Sequence, residues 1–584
     1  MTETKTETKR PLFRDNELTA VLKTAKAPFL YVFAFNLATN LLFLALPIFT
    51  MQVYSRVLQS QSQETLFVLT VGALFAFLIM SIIEGLKGSI LISYGLLFDR
   101  ALSQRVLGAM FDAALKSDPA GRSQALRDMD NVRQTVTGGA VLLLVDLPFV
   151  PIFLVTLFII DPAVGILTLV GGLILLCLAW LQDRATRPTL QLANDAALKS
   201  YAYSEGALRN GEVVRAMGML KSLSRPWGDF RAISTQRGAQ ASERAVLYSN
   251  LIKMVRLTIQ ILVVALGAWL VLNGKIAAGL IFANMILSSR ALAPLDRAVG
   301  SWNMLLTAYQ AYNRLSDLLE RYPATPQSTA LPRPLGQLSV EQLTFNAPQS
   351  SNASQPTRPP LLTDVSFVLP AGETLGVVGP SGAGKSTLTR LLMGVLAPSS
   401  GRVRLDGADV YSWDRTDFGR YVGYLPQDVE LFSGTARDNI ARFYPDTTDA
   451  DVVEAAQLAG AHALILSLPK GYETELGDGG VGLSAGQRQR IGLARALLGA
   501  PAFVVLDEPN ANLDAEGENA LIAAMAAMRA RGQTLVIVSH KINVFRSADK
   551  ILVLKDGKVE MYGPREKVLA RILPQAPRPL EASS

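Results

Sequence analysis

The chain has 584 residues, of which 49% are apolar and 18% charged, and its mean hydropathy is +0.27. This composition is too hydrophobic for an ordinary soluble protein. The net charge of +7 is typical of nucleic-acid binding or of basic loops beside a membrane, and we favour the second interpretation because no motif for reading DNA or RNA accompanies it. The single cysteine, Cys177, excludes a disulfide framework and a cysteine-based metal site within one chain, and we expect it to be a small buried hydrophobic residue.

Six apolar segments in the first half are candidates for helices that cross a bilayer. They are Phe29–Thr50, Leu66–Ile83, Ala140–Ile160, Ala163–Leu181, Leu257–Asn273 and Ile276–Ile286 with its continuation. The last is the weakest candidate because Arg290 and Asp296 follow it closely. Any one segment could be a buried core helix, but six in this order predict a membrane domain.

Basic residues are concentrated in the long connections between these segments. Residues 1–28 carry six Lys or Arg, loop 84–139 carries seven and loop 182–254 carries eleven, whereas the short connections carry one or none. This bias predicts that the N-terminus and both long loops are cytoplasmic. The long loops have helical apolar spacing, so we expect them to be helices that extend the spans into the cytoplasm.

Several ionisable residues lie at or within the predicted spans. Such a group can be functional or can be a structural charge with a partner, and the sequence favours neither interpretation. They are Glu84, Asp146, Arg290 and Asp296. Three prolines, Pro47, Pro148 and Pro151, are predicted to interrupt the helical hydrogen bonds near them.

A phosphate-binding loop is the clearest motif of the second half. The apolar strand Thr374–Val378 leads into Gly379–Thr387, which matches G-x-x-x-x-G-K-[ST], and a helix follows. This context disfavours a chance match in a glycine-rich turn. Lys385 is expected to reach the β- and γ-phosphates of ATP and Ser386 to bind Mg²⁺. The residues predicted to bind ATP are Gly379, Pro380, Ser381, Gly382, Ala383, Gly384, Lys385, Ser386 and Thr387.

Two further strands end in groups suited to hydrolysis of ATP. In the stretch FVVLDEP, an apolar strand is followed by Asp507, which fits a Mg²⁺ ligand, and Glu508, which is placed to act as general base on a water. A plain acidic turn is the alternative, which the upstream phosphate-binding loop disfavours. The stretch TLVIVSH ends in His540, at the end of a strand where α/β sheets bind ligands, and could contact the γ-phosphate.

With these motifs and LSAGQ in this order, residues from about Leu335 to Leu569 resemble the nucleotide-binding domain of ABC transporters. The resemblance implies that Gln427 is a glutamine that senses Mg²⁺ and the attacking water, and that Gly477–Gly479 is the exporter cross-contacting loop. It also implies a second set of residues that binds the ATP of a neighbouring subunit. These residues are Ser484, Ala485, Gly486, Gln487 and Asp514.

The chain departs from the ABC pattern at two positions. The signature is usually LSGGQ, and Ala485 replaces its first glycine, which should be tolerable if the backbone φ is negative there. Exporters usually place a tyrosine two residues after the aromatic residue of the first strand, but here Phe345 is followed by Asn346 and Ala347. Either Phe345 stacks on adenine in its place, or adenine stacking is weak or absent.

The membrane half is similar to the type I secretion ATPase/permease family. The resemblance rests on LALPIFTMQVYSRVLQSQS, DLPFVPIFL, ALRNGEVVRAMGML and SSRALAPLDRAVGSW. It implies a homodimer in the bacterial inner membrane, surrounded by lipids, that uses ATP and Mg²⁺ to export an unfolded protein with a C-terminal signal. It also implies a periplasmic membrane-fusion adaptor and an outer-membrane channel as partners, and no nucleic acid. An exporter of lipids or small molecules is the alternative, and a soluble ABC ATPase acting on DNA or ribosomes is disfavoured by the spans.

The expected fold is therefore a helical six-span transmembrane domain followed by an α/β P-loop nucleotide-binding domain. The predicted bounds are 1–28 for a cytoplasmic tail, 29–322 for the transmembrane domain, 323–335 for a linker, 336–571 for the nucleotide-binding domain and 572–584 for a flexible tail.

Overall fold

The computed structural model describes residues 17–115, 124–323, 331–346, 359–480 and 482–572. The chain divides into two compact units, with the main boundary between Ala324 and Thr325. Parts of the predicted tails and linker lie outside the described residues, namely 1–16, 324–330 and 573–584, and so do residues 347–358 of the predicted nucleotide-binding domain. The domain bounds given above stay predictions.

The first unit is helical throughout its described residues. Its helices are α1 (Glu17–Thr24), α2 (Lys26–Phe43), α3 (Ala45–Gln52), α4 (Leu58–Ser60), α5 (Gln63–Leu115), α6 (Ala125–Thr137), α7 (Gly139–Asp146), α8 (Val150–Ile160), α9 (Pro162–Arg209), α10 (Gly211–Ala216), α11 (Leu220–Leu272) and α12 (Gly279–Arg321). A π-helical turn, Val53–Val57, joins α3 to α4, and a 3₁₀ turn, Leu147–Phe149, joins α7 to α8.

Five helical stretches of the described chain are long and apolar enough to cross a membrane. They are Glu17–Ser60, Gln63–Leu115, Ala125–Ile160, Pro162–Leu208 and Leu220–Leu272. They contain the first four predicted spans completely, and they contain all of the fifth except its last residue, Asn273. The sixth span corresponds to the shorter apolar stretch Gly279–Leu295, so the predicted start at Ile276 is wrong. Residues 273–278 form the turn before it.

The prolines interrupt the membrane helices as predicted. Pro47 has no N–H to donate to the carbonyl of Phe43, and α2 ends at Phe43. Pro148 lies within the 3₁₀ turn, and Pro151 occupies the first turn of α8.

Four helices are far longer than a bilayer core. Helices α5 and α11 have 53 residues each, α9 has 48 and α12 has 43, which corresponds to roughly 65–80 Å of helix at 1.5 Å per residue, against about 30 Å of hydrocarbon. In the residues that the structure describes, the long loops are helical extensions of the spans, as predicted. Cys177, on α9, is exposed rather than buried. The prediction of burial is wrong because, on a membrane helix, an apolar side chain can face lipid as well as the core.

The second unit is an α/β domain built on a six-stranded sheet. The strands are β1 (Leu338–Phe345), β2 (Leu362–Leu369), β3 (Thr374–Val378), β4 (Ser400–Leu405), β5 (Ala408–Asp409), β6 (Val422–Leu425), β7 (Gly434–Thr435), β8 (Glu475–Leu476), β9 (Phe503–Asp507), β10 (Thr534–Val538), β11 (Lys550–Lys555) and β12 (Lys558–Pro564). The helices are α13 (Lys385–Leu392), α14 (Arg415–Tyr421), α15 (Ala436–Ile440), α16 (Asp449–Leu458), α17 (His462–Leu466), α18 (Ala485–Leu497), α19 (Ala515–Ala530) and α20 (Arg565–Ile572).

The main sheet has the strand order β12-β11-β3-β10-β9-β6, with β12 antiparallel and the other strands parallel. An antiparallel sheet, β2-β1-β4-β5, lies in the same unit. Strands β9 and β10 are buried along their full length, and their alternate residues pack into two different hydrophobic clusters, one on each face of the sheet. Val505 and Val536 belong to one hydrophobic cluster, and Val504 and Leu535 belong to another. Burial on both faces explains why these strands are continuous apolar runs in the sequence.

Candidate functional site

The parallel strands bring all the hydrolysis motifs to one edge of the main sheet. Val377 of β3 lies beside Val538 of β10, Val538 lies beside Asp507 of β9, and Leu506 of β9 lies beside Leu425 of β6. The four strands therefore end nearly level. The phosphate-binding loop, His540, Asp507 with Glu508, and Gln427 follow these four ends, where α/β sheets bind ligands.

Glycines allow the phosphate-binding loop to be as compact as it is. Gly384 has φ +93°, a left-handed conformation that is costly for other residues, and it caps α13. A Cβ atom on Gly379 would lie 2.2 Å from the carbonyl oxygen of Leu554 on the neighbouring strand β11. The compact loop leads directly into the N-terminus of α13, and a glycine-rich loop followed by a helix N-terminus is suited to bind phosphate.

Lys385 lies across this loop with its residue only 7% exposed. Its ammonium nitrogen donates to the carbonyl oxygens of Gly379, at 2.9 Å, and Pro380, at 3.0 Å. The charge is therefore held directly over the loop that the sequence predicts to surround the phosphates.

Asp507, the last residue of β9, is 2% exposed. Its Oδ2 accepts a hydrogen bond from Thr389 at 3.1 Å, and its Oδ1 is buried without a hydrogen-bond partner among the described residues. Burial raises the pKa of this carboxyl, and the hydroxyls of Ser386 and Thr389 act in the opposite direction. An unpaired buried carboxylate oxygen beside a serine hydroxyl is the donor set that Mg²⁺ prefers, so these residues fit the metal.

Glu508 is the meeting point of the predicted catalytic residues. Its Oε2 accepts a hydrogen bond from Gln427 Nε2 at 3.2 Å, and its Oε1 lies 3.3 Å from His540 Nε2. Its side chain is 21% exposed and that of His540 is 53% exposed, so the group is open to water on one side. Glu508 also has φ +50°, and its N–H donates to the carbonyl of Val538 at 2.9 Å.

The signature LSAGQ forms the start of α18. Ser484 caps this helix through a reciprocal pair of hydrogen bonds with Gln487, in which each side chain accepts from the other residue's backbone N–H, at 3.2 and 2.8 Å. Ser484 and Ala485 are exposed. Ala485 is the first residue of the helix and does not have a positive φ, so the backbone condition for tolerating alanine there is met.

The other predicted site residues have defined local roles. Asp514 caps α19 by accepting from the Gly517 N–H at 2.8 Å. Gly479, in the predicted cross-contacting loop, has φ +68° and donates to the carbonyl of Leu431. Phe345 is only 8% exposed and belongs to the core of this unit, which leaves little ring surface for adenine, and its adenine contact stays a prediction.

Sequence reasoning missed Gln489, the fifth residue of α18, which is 2% exposed. Its Nε2 donates to the carbonyl oxygen of Glu508 at 3.2 Å, and its Oε1 accepts from the Asn512 N–H at 3.2 Å. A polar residue on a helix face that is otherwise buried was the available signal.

The membrane unit holds a second group of polar residues, here called the membrane polar cluster. It comprises Asn36, Thr39 and Asn40 of α2, Lys87 of α5, Asp146 of α7, and Arg290 and Arg297 of α12. Lys87 donates to Asn36 at 3.0 Å and to Thr39 at 3.3 Å, and Asn36 in turn donates to Asp146 at 2.9 Å. Asp146 also lies 3.4 Å from Arg297.

Of the four ionisable residues predicted at or within the spans, two belong to the membrane polar cluster. Asp146 is central to it, and Arg290 donates to Asn40 at 3.3 Å and lies 4.6 Å from the centre of the Phe43 ring. Glu84 is exposed on α5, one turn before Lys87. Asp296 lies within α12, and its side chain is not among those that the structure describes. Asn36, Asn40 and Lys87 were missed because their pairing depends on how the helices pack.

Comparisons with known proteins agree with both units. The model of the ABC transporter family matches residues 362–511, and that of the ABC transporter transmembrane region matches residues 29–295. A solved structure described as a bacterial Atm1-family ABC exporter with ATP bound superposes with a TM-score of 0.78 over 94% of this chain and 97% of that chain, at 21% identity. At that identity the superposition shows the fold alone.

Full-length relatives narrow the class. The chain is 40% identical to the type I secretion system ATP-binding protein PrsD of Rhizobium meliloti over 96% of this chain and 95% of the relative. It is 30% identical to the cyclolysin secretion/processing ATP-binding protein CyaB of Bordetella pertussis, over 92% and 75%. The chain therefore belongs to the ABC transporters and, within them, to the type I secretion ATP-binding proteins. It binds and hydrolyses ATP to drive transport across the bacterial inner membrane, and a role as a lipid or small-molecule exporter is not favoured.

Proposed function

We propose that this chain is the inner-membrane ATPase of a type I secretion system that exports an unfolded protein carrying a C-terminal secretion signal. The relatives support export of protein, since PrsD and CyaB are both named for secretion. The observation that carries the mechanism is the convergence of Gln427 and His540 on the Glu508 carboxylate, one residue beyond the buried Asp507.

In this mechanism, the nine residues Gly379–Thr387 bind the phosphates of ATP. Lys385 exchanges the carbonyls of its own loop for β- and γ-phosphate oxygens, which carry more negative charge. Asp507, Ser386 and Gln427 would hold Mg²⁺. When bound, this ion neutralises charge that develops on the phosphates.

Glu508 acts as the general base on the attacking water. A base must lie within hydrogen-bond reach of the proton that it accepts, and the Glu508 side chain is 21% exposed and so is accessible to a water molecule. Gln427 and His540 orient the carboxylate, and His540 is also placed to donate to the γ-phosphate. The contacts at 3.2 and 3.3 Å fix the carboxylate without burying it.

The signature completes the site of a second copy of the chain. The exposed first turn of α18 carries Ser484, Ala485, Gly486 and Gln487, and a helix N-terminus favours a negatively charged ligand such as the γ-phosphate. Asp514 lies at the start of α19 and is proposed to contact the same neighbour. The functional unit is then a homodimer with two ATP sites, each assembled from both subunits, and ATP binding closes it.

The proposed partners follow from the family. They are a periplasmic membrane-fusion adaptor, an outer-membrane channel, the secreted protein and the surrounding membrane lipids, with no nucleic acid. The 29–322 segment is proposed as the membrane domain, and 336–571 as the nucleotide-binding domain.

Deleting the gene in its host and comparing the secreted proteins tests the export proposal. We expect one or more proteins to disappear from the culture medium and to return when the parent gene is supplied. A Lys385→Ala gene is the matched control and should not restore them. An unchanged secreted proteome would contradict protein export, and changed lipid or drug resistance without it would support the alternative exporter.

A further inference from the structure

Helix α18 is in close contact with two other parts of the site within one chain. A Cβ atom on Gly486 would lie 2.6 Å from the carbonyl oxygen of Asn512, in the segment after Glu508. A Cβ atom on Gly492 would lie 2.6 Å from a methyl carbon of Val429, two residues after Gln427. The two glycines therefore let the backbone of the helix approach both neighbouring segments closely.

Gln489 lies between these two glycines on the same side of α18, at a spacing of three residues from each. Its amide is used at both ends, since Nε2 donates to the Glu508 carbonyl and Oε1 accepts from the Asn512 N–H, both at 3.2 Å. The partners fix which end of the amide points where, because a carbonyl needs a donor and an N–H needs an acceptor.

The hydrogen bonds to the Glu508 carbonyl help to fix the backbone conformation of this residue. Glu508 has φ +50°, a conformation that costs a non-glycine residue free energy and persists only where neighbours enforce it. Two donors meet its carbonyl oxygen, the side chain of Gln489 and the Ala511 N–H at 3.1 Å. The direction of the Glu508 side chain, and thus its distance from the water, depends on this backbone conformation.

We propose that Gln489 is a positioning residue that couples the signature helix to the catalytic base of the same subunit. The inference rests on the proposed function, in which α18 contacts the neighbour's ATP while Glu508 acts on its own subunit's ATP. A movement of α18 on closure of the dimer is then transmitted through one buried amide to the backbone of Glu508 and to Asn512. Among the standard side chains of this length, only glutamine offers both a donor and an acceptor without charge.

The test uses the full-length chain in lipid nanodiscs and compares the parent with Gln489→Met and Gln489→Glu. Methionine keeps the length and burial but loses both hydrogen bonds, and glutamate keeps an acceptor for Asn512 but loses the donor to Glu508. Gln457→Met, at an exposed glutamine of α16, is the matched control. The measurements are kcat and KM for ATP hydrolysis, affinity for a non-hydrolysable ATP analogue, and melting temperature.

We expect both Gln489 variants to lose about tenfold in kcat, equivalent to about 1.4 kcal/mol of transition-state stabilisation. Analogue affinity should stay within about twofold of the parent, because Gln489 does not touch the phosphate-binding loop. Gln457→Met should match the parent.

Two results would overturn the inference. The first is a folded Gln489→Met protein with kcat equal to the parent. The second is a parallel fall of kcat, analogue affinity and melting temperature in both variants, which would show a purely structural role. Glu508→Gln, assayed beside them, separates this outcome from failure of the proposed function, because turnover in that variant would remove Glu508 as the base whatever Gln489 does.

Discussion

The nucleotide site and the membrane polar cluster both contain buried charged groups, but they differ in whether the protein supplies a partner for each charged atom. In the cluster, Asp146 has Asn36 and Arg297 as partners and Lys87 has Asn36 and Thr39, so its charges are compensated by the protein itself. In the nucleotide site, Oδ1 of the buried Asp507 has no partner among the described residues. A buried polar group without a partner is costly unless a ligand supplies one.

The comparison shows how a site can be told from a structural network in the same chain. Compensated charges hold helices together, and their removal is expected to affect stability first. Charges without a protein partner can be compensated by a bound ligand, and their removal is expected to affect activity first. The following predictions test this distinction, beginning with the largest expected effect.

Glu508→Gln should lower kcat for ATP hydrolysis about 10²- to 10⁴-fold, the range lost when a general base is removed. The amide keeps the size of the side chain but cannot accept the proton. Binding of ATP should be retained, as measured with a fluorescent analogue in nanodiscs. Glu560→Gln, at an exposed position on β12, is the control and should be unchanged. Near-parent turnover in Glu508→Gln would exclude it as the base.

Asp507→Asn should lower ATPase activity about 100-fold or more by weakening Mg²⁺ binding, and it should also stabilise the nucleotide-free fold at neutral pH. Burial raises the pKa of Asp507 in the folded chain, so the unfolded chain releases this proton at lower pH than the folded chain. The carboxylate therefore destabilises the fold as pH rises through the titration range, and the neutral amide does not.

Melting temperatures of the parent and Asp507→Asn, measured without nucleotide, check this prediction. The difference in favour of the variant should be largest at neutral pH and should shrink as the medium is acidified. A variant less stable than its parent at every pH would show that Asp507 is already compensated.

Asp146→Asn should cost about 1 to 2 kcal/mol of stability, between the values for an exposed and a buried ion pair, because the side chain of Asp146 is only 14% exposed but that of its partner Arg297 is 51% exposed. Adding Lys87→Met should recover part of this loss, since the second change removes an uncompensated charge. Melting temperatures in nanodiscs measure both effects. Glu64→Gln, exposed on the same helix as Lys87, should have none. Additive losses in the double variant would refute the coupling.

Ala485→Gly should change the ATPase rate by less than about twofold, the smallest effect expected here. The residue has no positive φ and begins a helix, so glycine gives the backbone no conformation that it needs. A much larger change in rate would show that the methyl group contacts the bound nucleotide or the neighbouring subunit.

Much of the nucleotide site could be predicted because its chemistry is local in sequence. The phosphate-binding loop, Asp507 with Glu508, and His540 each directly follow a buried apolar strand. Parallel pairing then brings the strand ends together. The positions of Gln427 and the signature came from family resemblance rather than from residue chemistry.

The parts that could not be predicted depend on three-dimensional packing. Nothing in the sequence near Lys87 indicates that Asn36 lies beside it, since the two are on different helices. Exposure of Cys177 was missed because lipid and protein core accept the same apolar residues. Gln489 carries no motif of its own, and only the folded chain shows that its amide is buried against Glu508.

Lys385 has two oxygen partners within its own loop, the carbonyls of Gly379 and Pro380. A free lysine side chain gives up about 2 kcal/mol of rotamer entropy when it is immobilised. In this chain that loss occurs when the domain folds, so binding of ATP exchanges one pair of acceptors for a better one. The side chain is thus pre-organised, so less of the binding free energy of ATP is lost in ordering this lysine.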